Sequence, residues 1–228
     1  MGSDQLFHKR KARSAASFKR KGARRSPYDR VLIVCEGKKT EPDYFKAVID
    51  DLQLNTANIR IAENTAGSSP RNVVELALEE YAKDKREKGE PYDRVYCVFD
   101  KDQHPTYQET LDVVRREREK KKRGCPIYAI TSVPCFEFWL LLHFTYTTKN
   151  FSVKGGSICA SVMADLKKYM PSYEKGGIKN IYHVIRKDIS GAITHAKRAE
   201  RHCESGGTDM PSTQVYALVE YLQQLKKK

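Results

Sequence analysis

The sequence predicts an α/β fold: a parallel sheet of about four strands flanked by helices, followed by a helical C-terminal portion. Three observations predict it. Short, continuous apolar or β-branched runs recur at residues 31–35, 94–99 and 127–131, with a weaker one at 58–62, as expected of strands buried on both faces. Helical periodicity fills the gaps between them, so the crossovers are right-handed and the sheet parallel. After Thr145 the strand pattern stops, and helical stretches separated by glycine pairs take over.

Taken in order, the first strand is Val31-Leu32-Ile33-Val34-Cys35. A helix over residues 40–54 follows, with Tyr44, Phe45, Val48, Ile49 and Leu52 forming an apolar stripe. Residues 58–62 make the second strand. Ser69 and Pro70 then read as N-cap and first helical residue of a helix carrying Val73, Val74, Ala77 and Tyr81, stopped at Gly89. The third strand, 94–99, runs into Asp100-Lys101-Asp102. A charged helix is expected over 105–123, closed by Gly124, then a fourth strand at 127–131 and an apolar helix over 135–144 entered through Pro134. Further helices are predicted at 158–170, 181–203 and 213–227. The expected organisation is a basic disordered tail over 1–27, an α/β core over 28–145, and a helical region over 146–228 packed on that core.

Composition narrows the class. The chain has 228 residues, 39% hydrophobic and 31% charged, enough for one sizeable domain. No apolar run approaches the roughly 18–20 residues that span a bilayer, and the basic N-terminus lacks the apolar core of a signal peptide. A cytoplasmic protein without a membrane partner is expected. The six cysteines form no C-x-x-C pair, so reduced thiols serving as small hydrophobes are expected, with no zinc or redox motif. The net charge of +13 favours polyanions such as nucleic acid. Residues 1–30 hold ten Lys or Arg against two Asp, so most of the excess sits in the tail and the core is only mildly basic.

The candidate chemistry lies at the strand ends. In a parallel α/β sheet, ligands gather beyond the carboxyl ends of the strands. Here those ends carry Glu36-Gly37 after the first strand and Asp100-x-Asp102 after the third, with Glu137 opening the helix after the fourth. Clustered carboxylates repel one another, so they either protonate or recruit a hard cation; oxygen donors suit Mg²⁺ or Mn²⁺. If Asp100 and Asp102 continue the extended strand, both face the same side and reach one metal. Gly37 permits close approach to the backbone. Taken singly, Asp-x-Asp is a common solvated turn and a strand-end Glu a common polar cap; the joint placement carries the argument. The run Gly37-Lys38-Lys39-Thr40 is not a Walker A loop, because position 32 is Leu and Lys39 separates Lys38 from Thr40.

The order strand–Glu-Gly, then strand–Asp-x-Asp, resembles the Toprim fold of topoisomerases, primases and OLD-type nucleases. A more specific resemblance is to the RloB family of Toprim-like proteins from bacterial defence loci. It rests on Val34-Cys35-Glu36-Gly37-Lys38-Lys39-Thr40-Glu41 with Tyr44-Phe45, on Val98-Phe99-Asp100-Lys101-Asp102, on Ser132-Val133-Pro134-Cys135-Phe136-Glu137-Phe138-Trp139, and on Pro211-Ser212-Thr213-Gln214-Val215. The resemblance implies a magnesium-dependent nuclease site. Glu36 is then the general acid/base and Asp100 and Asp102 metal ligands, with Glu41 and Glu137 added for a second ion. Lys175 is the implied stabiliser of transition-state charge; its bland reading is an exposed loop lysine. The resemblance further implies an effector of anti-phage or abortive-infection defence, cleaving RNA, tRNA included, under the control of an SMC- or ABC-type ATPase encoded nearby. The competing readings are a DNA endonuclease and a non-catalytic module that senses nucleic acid or a phage protein.

Softer features take structural readings. His143, in an apolar helix, is expected to be a satisfied core histidine, and Trp139 and Phe136 core residues. The run Arg115-Arg116-Glu117-Arg118-Glu119-Lys120-Lys121-Lys122-Arg123 reads as a solvated face of mixed sign, with phosphate-backbone contact as the alternative.

Overall fold

The structure is a computed structural model that describes residues 28–62, 64, 67, 69–89, 91–102, 104–120, 124–153, 157–176 and 181–226. The expected tail over 1–27 lies outside the described residues. The elements run β1 (Val31–Cys35), α1 (Thr40–Asp51), β2 (Ile59–Ala62), α2 (Pro70–Lys88), β3 (Arg94–Asp100), α3 (Tyr107–Glu119), β4 (Ile127–Val133), α4 (Glu137–Leu141), α5 (Ile158–Leu166), α6 (Ile181–Ile185), a 3₁₀ turn (Arg186–Asp188), α7 (Ile189–Gly206), β5 (Ser212–Thr213) and α8 (Val215–Leu225).

The sheet order is β2-β1-β3-β4-β5. The first four strands pair in parallel, as the alternation of strands and helices requires. β1 is buried on both faces, and its side chains divide between two cores with the period of two that the pleat imposes. Val31, Ile33 and Cys35 join α1, α4 and the C-terminal helices in the larger cluster. Leu32 and Val34 join α2 and α3 in the smaller one. Trp139, Tyr44, Phe45 and Phe136 are all fully buried, each burial contributing roughly 1.5–3 kcal/mol or more.

Local capping sets the entry to α2 as its letters predict. Ser69 Oγ accepts from the Asn72 amide at 3.2 Å, Pro70 opens the first turn, and Gly89 ends the helix at φ 70°, a cap worth about 1 kcal/mol. Ser157 caps α5 in the same way, accepting from Ala160 N.

Four expectations are corrected. A fifth strand, β5, pairs antiparallel with β4 through Ser132↔Thr213 and Val133↔Ser212; a two-residue strand leaves no periodic trace. The helix expected over 135–144 is α4 alone. Its end tightens into i→i+3 bonds, His143 N to Leu140 O and Phe144 N to Leu141 O. The helix expected over 181–203 is broken at Arg186-Lys187-Asp188, three residues of which none is buried. The thiol expectation also fails in part: Cys135 and Cys159 are disulfide-bonded, Cα–Cα 5.9 Å. Cys35, Cys97, Cys125 and Cys203 are free and buried. Among the described residues, no helix is long and apolar enough to cross a membrane.

Candidate metal and acid/base site

Parallel pairing of β1 with β3, in register Cys35↔Val98, brings the two acidic strand ends side by side. The Glu36 amide donates to Val98 O at 2.8 Å, and the Asp100 amide donates to Glu36 Oε2 at 3.0 Å. The other oxygen, Glu36 Oε1, lies 3.1 Å from His104 Nε2. Glu36 is thus held at both oxygens. His104, four residues past the end of β3 at Asp100, is a site residue that sequence reasoning missed; its nearness to Asp100 in the chain was the available signal.

Glu41 projects from the first turn of α1 and is buried, its carboxylate packed against Gly37 so closely that a Cβ there would collide with it. Burial, followed by the facing charges of Glu137 and Glu36, raises the Glu41 carboxyl above the usual range, against the pull of its own backbone and of Lys175. Asp100 stands well above its usual range for the same reasons: burial first, then Glu41, Glu137 and Glu36, opposed by Lys175. Two carboxyl groups therefore carry negative charge at a cost that the protein's own cations do not remove.

Glu137 opens α4 and is completely buried. Tyr173 OH donates to its Oε1 at 3.1 Å, and Lys175 Nζ lies 3.9 Å from the same oxygen. Cys159 Sγ is 3.2 Å from Oε2; within the disulfide that sulfur bears no hydrogen, and only the thiol form donates there. Lys175 is half-exposed by its side chain yet belongs to the cluster. Partial desolvation pulls its pKa down, but Glu137, Asp100, Glu41 and Asp102 outweigh this and raise it. The loop that carries it is fastened to α1: Gly176 N donates to Thr40 Oγ1 at 3.1 Å, with Gly176 at φ 70° against Lys39. Tyr173, fully buried, pins the other side of the loop. Lys175 is an exposed loop lysine, as its bland reading has it, and its ammonium nonetheless faces the buried Glu137 carboxylate.

Asp102 departs from the expected geometry. β3 ends at Asp100, and Asp102 sits at φ 34°, exposed, its amide donating to Pro134 O at 3.0 Å. The strand alternation that would aim both aspartates to one side does not extend that far. Glu36, Glu41, Asp100, Glu137 and Lys175 are brought together; Asp102 lies at the rim and acts on Lys175 through charge.

His143 is a core histidine, with Nδ1 3.0 Å from Trp139 O and burial holding its pKa down to about 4. Its buried Nε2 has no hydrogen-bond partner among the described residues, so the satisfaction expected of His143 is incomplete. Trp139 and Phe136 are core, as expected. On α3, Arg115 pairs with Asp112 at 2.8 Å and Lys120 with Glu117, the mixed-sign solvated face expected; residues 121–123 lie outside the described residues.

Two donor sets could hold a metal. Among the described residues, Cys135, Glu137 and Cys159 place one ligand atom each within 4.8 Å of one another, all buried; that set requires free thiols. The strand-end carboxylates do not close to that spacing. Mg²⁺ keeps several waters and binds through one or two carboxylates, so the wider, oxygen-only set of Glu36, Glu41 and Asp100 fits a hydrated hard cation. Its raised carboxyl groups are the charge such a cation would neutralise.

In comparisons with curated proteins and with solved structures, nothing matches this chain. The family model described as RloB-like protein matches residues 31–222, a span that includes every residue of the carboxylate cluster. The chain therefore belongs to the RloB-like family.

Proposed function

We propose that this protein is a Mg²⁺- or Mn²⁺-dependent nuclease that hydrolyses phosphodiester bonds in nucleic acid, RNA (tRNA included) ahead of DNA. The supporting observation is the convergence of Glu36, Glu41 and Asp100 with Lys175 at the carboxyl ends of β1 and β3. A divalent ion, when bound, supplies charge neutralisation and an activated water. Glu41 and Asp100 would hold it. Glu36, fixed by the Asp100 amide and His104, passes a proton to or from the reacting oxygens. Lys175 offsets charge developing on the phosphoryl oxygens, a role its place beside the carboxylates supports. The resemblance to Toprim-like proteins of bacterial defence loci supports an effector role in anti-phage abortive infection, restrained by a partner ATPase.

The test is purified protein with Mg²⁺ or Mn²⁺, tRNA and plasmid DNA, alone and co-expressed with the neighbouring ATPase. Wild type should cut, and Asp100→Ala should lose cleavage and cellular toxicity while remaining folded. Equal cleavage by both would sink the proposal. One observation favours the second reading, a non-catalytic nucleic-acid or phage-protein sensor: the site carboxylates stand wider than a closely ligated metal requires. That reading expects nucleic-acid binding without turnover and no Mn²⁺ heat in calorimetry.

A further inference from the structure

Beside the carboxylate cluster, a hollow of about 480 Å³ opens between α1 and the end of β2. Its wall combines Lys38 and Lys46 with an apolar shelf of Pro42, Ile61 and Ala62, and includes Gly37 and Asn64. Pro42 and Lys46, four residues apart on α1, share one helix face. Both lysines are exposed, and among the described residues neither forms an ion pair with a carboxylate. Among the described residues that line this hollow none is acidic, although Glu41 lies against Gly37. Asn64 joins the two places: its amide donates to the Glu36 carbonyl at 2.9 Å and to the Gly67 carbonyl at 3.1 Å. The hollow between α2 and α3, about 310 Å³, differs in that its lining mixes Arg71 and Arg116 with Glu75 and Glu109, and Arg71 pairs with Glu75 at 2.8 Å.

We infer that the α1–β2 hollow is a nucleotide subsite, receiving the nucleotide next to the phosphate held at the carboxylates. Two exposed ammonium groups with no carboxylate partner among the described residues, beside an apolar shelf, match one phosphate and the face of one base or sugar. The chemistry is sequence-tolerant: the described lining residues include no aromatic to stack on a base. Pairing backbone cations with a sequence-blind surface gives affinity that falls with salt. The inference rests on the nuclease reading for which phosphate is cut, but nucleotide binding at the lysines is separable from cleavage.

The experiment uses the full chain, a fluorescein-labelled single-stranded RNA 12-mer in Ca²⁺, and anisotropy across a salt series. Lys38→Glu/Lys46→Glu should weaken binding by roughly tenfold or more and flatten the log–log salt slope by about 0.7, the single-strand value for the one phosphate neutralised. Both residues are exposed, so the melting temperature should stay within about 2 °C of wild type. Arg115→Glu on α3 should leave affinity within twofold. Unchanged affinity and slope in the folded double variant overturn the subsite, as does equal weakening by Arg115→Glu, which would mark diffuse electrostatics. Lysine-dependent binding together with no cleavage of any substrate would keep the subsite and remove the nuclease. Cleavage that persists with lysine-independent binding would do the reverse.

Discussion

Gly37→Ala isolates the contact on which the metal reading of Glu41 depends. Gly37 is not among the described glycines at positive φ, so alanine adds no backbone strain, and its effect is confined to what its Cβ meets. That Cβ would lie 2.6 Å from Glu41 Cδ and 2.7 Å from Oε1, against about 3.5–4.0 Å for ordinary contact. Glu41 Oε2 lies nearer still, so the carboxylate must retreat by more than about 1 Å. It is the end of a flexible side chain, so it swings where backbone would not, but it is buried and has little room. The expected stability loss is about 1 kcal/mol, or a melting temperature about 2–4 °C lower for a chain of this size. Ligand distances tolerate only about ±0.2 Å, so Mn²⁺ affinity by calorimetry should fall roughly 10- to 100-fold. Adding Glu41→Asp to Gly37→Ala withdraws the carboxylate by one methylene and should restore the melting temperature without restoring Mn²⁺ affinity. Wild-type Mn²⁺ affinity in Gly37→Ala would refute the placement of Glu41 at the metal.

Two other predictions concern charge and sulfur. Glu41 and Asp100 have folded-state pKa values raised above their unfolded ones, so between the two the native state holds more protons. Stability of the metal-free protein should then fall as pH rises from about 4 through the folded-state values. Asp100→Asn should flatten that decline and raise the metal-free melting temperature at neutral pH while lowering Mn²⁺ affinity; thermal melts from pH 4 to 8 with and without Mn²⁺ check both. Alkylating the denatured, unreduced protein and weighing it should count four reactive cysteines of the six in the sequence, with Cys135 and Cys159 protected. Six modified cysteines would place the pair as thiols and open Cys135, Glu137 and Cys159 to a soft metal.

Much of the fold is legible because buried strands and amphipathic helices write their periods locally. Val31 to Cys35 alternates between two cores, and Ser69-Pro70 caps α2 by a bond three residues long. Glu36 and Asp100 were placed together from letters alone, since parallel neighbours end on the same side. The reading of Asp102 failed because it assumed that the strand continued; a turn two residues past the last ladder pair, Asp100↔Ser132, decides where that side chain goes. The short α4, the break at Arg186–Asp188 and the two-residue β5 are features smaller than one period, and periodicity does not register them.

The sequence by itself determined the α/β class, the four parallel strands, and the acidic strand ends at which a cation site can form. Only the tertiary structure decided which distant groups complete that site. His104 meets Glu36 across 68 positions, Tyr173 meets Glu137 across 36, Lys175 arrives on a loop fastened to Thr40, and Cys159 reaches Cys135 from α5. The physical reason is one of range. Propensity, capping and amphipathic spacing act within a helical turn or a strand pair, whereas these contacts depend on how whole layers dock, and docking is fixed by shape and burial summed over many residues.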